Sequence, residues 1–198
     1  MKNDEVNDKM WESFKGGDRG AFAAIYDQYA AVLLNYGSKT ISDQALVEDC
    51  IQDLFIELWT SRERLSSTTS IKFYLFKALR YKIYRKVNAS RNDTTESIDD
   101  YLSVLRNYPD EENYVEAEVQ SLQMSHLKDT LDKLPSRQRE AITLRYFHFF
   151  SNEEIAQIMG VNYHSACKFV YAGLKNLKEN LKVAAMTIVV ILSFPGFF

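Results

Sequence analysis

His164, Lys168, Tyr171, Lys175, Lys178 and Lys182 recur at steps of three and four residues, so they fall on one face of a helix. A row of amines at that spacing suits phosphate contacts along a duplex groove. Between Ile71 and Val87 the mixture is different. Phe73, Tyr74, Phe76, Tyr81 and Tyr84 interleave with Lys72, Lys77, Arg80, Lys82, Arg85 and Lys86. Ring faces stack on unpaired bases while cations meet phosphates, which is the combination single-stranded DNA requires. Each set also has a plainer reading. The first fits a solvated lysine face on an ordinary αα-hairpin, and the second a core helix with basic residues lying along its rings. Several of those rings must be core, which leaves one or two for DNA. Covalent chemistry is not indicated. There is no phosphate-binding glycine loop and no metal-ligand cluster, and His126, His148 and His164 stand apart without partnering motifs. No enzyme, metal, cofactor or small-molecule substrate is therefore expected.

The helical elements that must hold these groups are legible from their caps and periods. Ser151 with Glu154 three residues later is a capping box. Ile155, Ala156, Ile158 and Met159 follow as a short apolar face. Gly160 supplies a left-handed helix end, and Val161 is placed to plug the turn. A second helix then buries Ala166, Val170, Leu174, Leu177 and Leu181 opposite the basic face. Upstream, Leu131 and Leu134 share a face with Leu127, Pro135 closes that helix, and a new one opens over 136–147. In the N-terminal half the first helix is expected near Asp18, with Phe22, Ile25, Tyr26, Tyr29, Leu33 and Tyr36 on one face. In Gln44–Trp59 the pairs Leu46/Val47, Cys50/Ile51, Leu54/Phe55 and Leu58/Trp59 form a wide buried stripe. Glu48, Asp49, Gln52, Asp53 and Glu57 lie opposite, and an acidic face of this kind is ordinarily just solvated.

At 198 residues and 46% apolar, the chain can bury a real core in one or two domains, and its few Gly and Pro with almost no strand-like alternation indicate an all-α fold. The net charge of −3 is small only because the charges come in blocks. Leu65–Arg91 carries seven basic residues and no acidic one, Asn92–Ser125 nine acidic and one basic, Lys133–Lys182 eight basic and four acidic. Two basic blocks around an acidic connector leave strong local fields, so net charge does not exclude nucleic acid. Cys50 and Cys167 each fall on the apolar side of a predicted helix and read as reduced core thiols. Met1–Lys9 is polar with no apolar run behind it, so a cytoplasmic protein is expected.

Taken together, LVEDCIQDLFIELW and LDKLPSRQREAITLRYFHFFSNEEIAQIMGVNYHSA, in this order and spacing, resemble the small extracytoplasmic-function (ECF) group of bacterial sigma factors. The resemblance implies a region 2-like domain over 10–90, an acidic linker over 91–120, a region 4-like helix-turn-helix domain over 121–182 and an apolar tail over 183–198. It implies that Asp49, Gln52, Asp53 and Trp59 dock on the beta-prime clamp helices of core RNA polymerase, with Phe55 packing inside, and that the second domain meets the beta flap. Ser67 and Thr68, with Lys72, Lys77, Arg80 and Tyr81, would hold the −10 element and its flipped-out bases. His164, Ser165 and Lys168 would reach base edges of the −35 element, while Tyr171, Lys175, Arg137 and Arg139 would meet phosphates. An anti-sigma regulator, soluble or membrane-bound, is a further implied partner.

The chain departs from the family pattern at Tyr81, where an Asn is common, and at Cys167 and Ala172, where basic residues are. Two rivals remain at the level of sequence: a duplex-binding regulator with an effector domain, and a sigma-like decoy that occupies polymerase without opening promoters. The regulator would have no use for the aromatic-basic helix. The uncharged tail VAAMTIVVILSFPGFF is short for a membrane span of about 20 residues. It can continue the recognition helix onto its own domain, meet a membrane surface, or dock on a partner.

Overall fold

A computed structural model describes the backbone of residues 2–66, 68, 70–89 and 129–193, and the side chains among these from 8 to 181. Ser67, the connector 91–120, residues 121–128 with Leu127, and the tail end 194–198 lie outside the described residues, as do the side chains from Lys182 onward. Every regular element described is helical, in keeping with the all-α expectation. The chain divides into two compact units.

The first unit packs four helices: α1 (Lys2–Lys15), α2 (Arg19–Thr40), α3 (Gln44–Ser61) and α4 (Ile71–Ala89). Their starts follow from short polar caps. Asp18 Oδ1 accepts the Gly20 and Ala21 amides at 2.7 and 3.3 Å, Asp43 Oδ1 that of Leu46 at 3.0 Å, and Ser70 Oγ that of Phe73 at 3.1 Å. Most of the predicted stripes point inward: Ile25, Tyr29, Leu33 and Tyr36 from α2, and Val47, Cys50, Ile51, Leu54, Phe55 and Leu58 from α3, are buried, whereas Phe22, Leu46 and Trp59 are half-buried and Tyr26 is exposed. Each such side chain contributes about 1.5–3 kcal/mol on leaving water. Gly37 is where α2 and α3 touch, because a Cβ there would collide with Val47 Cγ1. One expectation needs correction. The first helix is not the one capped by Asp18. α1 precedes it, and its Trp11 and Phe14 are among the most buried side chains described. Two core residues among many polar ones give too weak a period to read.

The second unit is built around α5 (Ser136–Ile142), which runs into a π-turn over Thr143–Phe147, and α7 (Tyr163–Ser193). α6 (Asn152–Met159) immediately precedes α7 in the chain. α5 opens at Ser136 as expected, directly after Pro135, but its continuation over Thr143–Phe147 widens to π rather than remaining α-helical. α7 packs on α5 with its backbones close, since a Cβ on Gly173 would lie 2.7 Å from Ile142 Cγ1. The buried stripe of α7 is therefore Ala166, Val170, Gly173 and Leu177, and the expected core residue Leu174 is 39% exposed instead. The approach of Ile142 requires a missing side chain at position 173, which rotates the contact line away from Leu174. Asn176 Nδ2 adds a hydrogen bond to Gln138 Oε1 at 2.7 Å across the same seam. α7 continues as helix to Ser193, which the continued-helix reading of the tail anticipated in its backbone. Among the described residues no helix is long and apolar enough to cross a membrane.

Candidate nucleic-acid and protein interfaces

On α3 the acidic residues stand opposite the core, and two of them are engaged from α4. Lys86 Nζ lies 2.8 Å from Asp53 Oδ2, and Lys82 Nζ 2.7 Å from Glu57 Oε2. The hydrogen bond from Lys86 holds the Asp53 carboxyl below the usual carboxylate range and raises Lys86 above the usual amine range. Asp49 is exposed and makes no ion pair among the described residues. Beside these acids runs an open apolar cleft of about 400 Å³, lined by Phe22, Tyr26, Gln52, Phe55, Ile56, Trp59 and Thr60. Trp59 packs against the Phe14 and Phe22 rings, with the Arg62 guanidinium 4.6 Å from its centroid. It is therefore a half-buried wall of the cleft rather than a free anchor. Phe55 is buried, as expected.

The cleft brings two of the four anticipated docking residues, Gln52 and Trp59, onto one surface, with Asp49 and Asp53 on the adjoining helical rows. Ile56, 61% exposed, was missed. Its signal was present in the sequence: it is an apolar residue outside the paired stripe, set among Gln52, Asp53 and Glu57. Cys50 is buried at the back of the same helix, and burial pushes its thiol up.

α4 presents a second surface. Phe76 is fully buried, and Phe73 and Tyr74 are half-buried, so most of its rings are core. Burial raises the Tyr74 phenol. Tyr81 and Tyr84 remain exposed, with the Arg85 guanidinium 5.8 Å over the Tyr81 ring and the Lys77 amine 5.7 Å over Phe73. This surface thus unites Tyr81 and Lys77 of the anticipated set with Tyr84 and Arg85, which were read as interleaved residues but not assigned. Lys72 and Arg80 are half-buried. Ahead of α4, Thr68 Oγ1 accepts the Ser70 amide at 3.2 Å and donates to the Ser70 carbonyl at 3.2 Å, closing a tight hydroxyl turn.

In the second unit the capping box is reciprocal. The Ser151 amide donates to Glu154 Oε2 at 2.8 Å, and the Glu154 amide to Ser151 Oγ at 3.2 Å. Gly160 has φ 64°, and the Val161 amide closes the turn on the Ala156 carbonyl at 2.9 Å. Asn162 Oδ1 caps α7 by accepting the Ser165 amide at 2.8 Å. The exposed face of α7 then carries His164, Lys168, Tyr171 and Lys175, with Tyr171 72% exposed. Ser165 is half-buried at the edge of that face. On α5, Arg137 and Arg139 are half-buried, and Arg139 Nη1 lies 3.4 Å from Asp132 Oδ1, so its charge is partly matched within the protein. Cys167 is not the core thiol expected of it. It is half-buried, and its thiol, one helical turn from Tyr163, raises that phenol. Among the described residues no His, Cys, Asp and Glu are grouped to hold a metal.

These two helical surfaces and the helix-turn-helix coincide with known family segments. Residues 25–92 match the family model described as Sigma-70 region 2, and residues 126–177 the one described as Sigma-70, region 4. The chain is 27% identical over 159 residues to RNA polymerase sigma factor SigZ of Bacillus subtilis (strain 168), spanning 80% of this chain and 85% of the relative. It is 25% identical over 166 residues to ECF RNA polymerase sigma factor SigL of Mycobacterium tuberculosis (strain ATCC 25618 / H37Rv), spanning 83% and 90%. The chain belongs to the sigma-70 family, in its ECF group. Among solved structures, the sigma factor RpoE of Bartonella quintana, crystallised with the anti-sigma factor NepR, aligns at TM-score 0.56 with 25% identity, covering 82% of this chain and 97% of that one. CnrH, solved with the cytosolic domain of CnrY, aligns at TM-score 0.59 with 16% identity over 89% and 97%, a likeness of fold. Region 2 therefore carries the acidic face of α3 and the aromatic-basic helix, and region 4 the basic face of α7.

Proposed function

We propose that this chain is a sigma factor that binds core RNA polymerase and directs transcription from promoters carrying −10 and −35 elements. The observation that carries the reading is the match to regions 2 and 4 in order, with exposed groups of the right chemistry on each. Residues 10–90, extended at the front by α1, act as the polymerase-binding and −10 module. Residues 121–182 act as the −35 module, and 91–120 as the linker. Asp49, Asp53, Gln52 and the Trp59 wall of the cleft meet the clamp helices of beta-prime. A basic surface with one apolar side chain is the complement: lysines or arginines on the acids, and the apolar group in the cleft beside Ile56. Tyr81, Lys77 and the Ser66–Ser70 loop engage the melted non-template strand. His164, Ser165 and Lys168 read the −35 major groove, with Tyr171, Lys175, Arg137 and Arg139 on phosphates.

Sigma factors are not catalysts, and binding energy alone drives every step assigned to this chain. Melting costs a few kcal/mol for each base step unstacked, and it is offset by stacking on rings and by phosphate neutralisation. Because the similar RpoE was solved with an anti-sigma factor, this chain is also assigned such a regulator, acting with it in the cytoplasm where polymerase resides. Run-off transcription with purified core polymerase, this protein and fragmented genomic DNA tests the proposal. Discrete transcripts that require the protein are expected. Tight core binding without transcripts would point to a decoy, and neither activity to a duplex-binding regulator.

A further inference from the structure

The first turns of α7 are poor in the groups that usually read DNA. Between Tyr163 and Leu174 the chain has one lysine, Lys168, and no arginine or acid. Asn162, just ahead, has the amide type that makes a two-point contact with adenine, but its Oδ1 already accepts the Ser165 amide at 2.8 Å. What the start of the helix presents instead is apolar and polarisable. Tyr163 is 46% exposed, with its ring centroid 5.9 Å from that of His164 in an edge-to-face arrangement. Cys167 follows one turn later, half-buried, with its thiol close enough to raise the Tyr163 phenol. At 100° per residue Cys167 lies about 40° from both Tyr163 and Tyr171 and about 60° from His164, so the four form one strip beside Lys168.

We propose that Tyr163 and Cys167 are specificity-determining residues of the −35 contact, forming an apolar seat for the C5-methyl group of a thymine. The inference rests on the reading that α7 enters the −35 major groove. In that groove each base shows its own edge. Guanine has two acceptors that suit Lys or Arg, and adenine a donor and an acceptor that suit Asn or Gln. Cytosine has an amine that needs an acid, and thymine a methyl group that needs an apolar surface. Lys168 supplies the first at one position, and Asn162 is engaged as the helix cap and cannot supply the second. α7 has no acid before Glu179, and Glu153 of α6 acts on the Tyr163 phenol, which makes cytosine the competing outcome. The thymine methyl finds its complement in a ring and a polarisable thiol. The basic residue common in the family at position 167 would favour guanine there, and the thiol removes that option.

The test uses holoenzyme assembled from core polymerase and the full chain. Duplexes randomised over the −35 element are selected by binding. Each thymine of the enriched duplex is then replaced singly by deoxyuridine, which removes the methyl group and nothing else. One such replacement is expected to weaken binding about fourfold, the equivalent of one methyl group leaving water. In Tyr163→Ala that penalty should fall below twofold. In Cys167→Lys it should also vanish, and reselection should return guanine at that position with a steeper salt dependence from the added cation. Core affinity and thermal unfolding should match wild type in both variants, since neither side chain belongs to the buried stripe. Deoxyuridine tolerated within twofold at every thymine of the wild-type complex overturns the seat, as does an enriched duplex with cytosine and no thymine. A penalty that survives in both variants also overturns it, because the methyl group then lies against other residues. Wild-type holoenzyme that enriches no −35 sequence while binding core normally would instead refute the reading that α7 reads that element.

Discussion

The acidic face of α3 makes a quantitative prediction, because its charge is partly cancelled from within. Glu48, Asp49, Asp53 and Glu57 share that side of the helix, and Lys82 and Lys86 pair with two of them. Replacing Lys86 with Met leaves one more uncompensated carboxylate facing a basic partner. The pair it breaks is half-exposed, with side chains 39% and 50% accessible, so the direct stability loss is about 1 kcal/mol or less. One added charge acting across about 8 Å of surface water contributes about 0.5 kcal/mol before screening. Core affinity should therefore rise about two- to threefold at low salt, and the gain should vanish near 0.5 M salt, where the screening length is a few ångströms. Asp49→Asn should weaken binding by a similar factor with the same salt dependence. The double variant Asp53→Asn/Lys86→Met restores the wild-type net charge and should bind about as wild type does. Competition anisotropy with labelled sigma at low and high salt reads these differences, with thermal unfolding monitored alongside. The lowered Asp53 value means its share of stability is present above the unfolded carboxylate range and lost as pH falls through the folded value. The raised Lys86 value means its share is present below the unfolded amine range and lost as pH rises through the folded value. Near pH 7.5 both groups are fully ionised, so the assay there reports charge alone. Weaker core binding by Lys86→Met at unchanged stability would refute the reasoning and place that amine in the contact itself.

Three further outcomes follow from the geometry. Lys168→Ala, at an exposed position of α7, should reduce −35-dependent transcription about tenfold and flatten its salt dependence while leaving core affinity intact, as run-off assays with and without a consensus −35 would show. Tyr81→Ala should leave the melting temperature within a degree or two, because the ring is 61% exposed, yet reduce permanganate-detected promoter opening on duplex templates. Templates with a pre-melted bubble should recover much of that loss. Gly37→Ala should destabilise region 2 by about 1–3 kcal/mol through collision with Val47; Gly37→Ala/Val47→Ala, measured in the same denaturant series, should recover part of that loss.

The helix-turn-helix was legible because each of its signals is local. A capping box, a left-handed glycine and a basic stripe are set by neighbours within a few residues, and all are found as read. The α3 stripe was legible for the same reason, since a period of four over fifteen residues has few alternatives. What escaped depends on contacts distant in sequence. Trp11 and Phe14 are core only because α2 and α4 are there to cover them, and nothing in Lys2–Lys15 announces that cover. Leu174 is displaced from the core by Gly173, whose missing side chain admits Ile142 from a helix thirty residues earlier. Cys167 is likewise half-buried because it lies at the edge of the stripe, one residue past the buried Ala166.

The basic block of α4 shows most clearly how linear charge misleads. Read along the chain, Lys72 to Arg91 is one cationic run opposed to an acidic helix and an acidic connector. At 100° per residue, however, Lys82 and Lys86 fall on the flank toward α3, while Lys77, Tyr81, Tyr84 and Arg85 fall about 60° or more away on the exposed side. The structure uses the first pair as counter-ions for Asp53 and Glu57, and leaves the others beside exposed rings. One helix therefore serves two surfaces of opposite sign, and charge substitutions on it separate by angle rather than by position. On the proposed reading, neutralising Lys82 or Lys86 should shift core affinity, and neutralising Lys77 or Arg85 should shift single-strand affinity. The departure from the family pattern at Tyr81 falls on this exposed side, away from the Lys82 and Lys86 pairs. There, the exposed ring with Arg85 above it provides stacking and cation-π contact where the family pattern often supplies an amide.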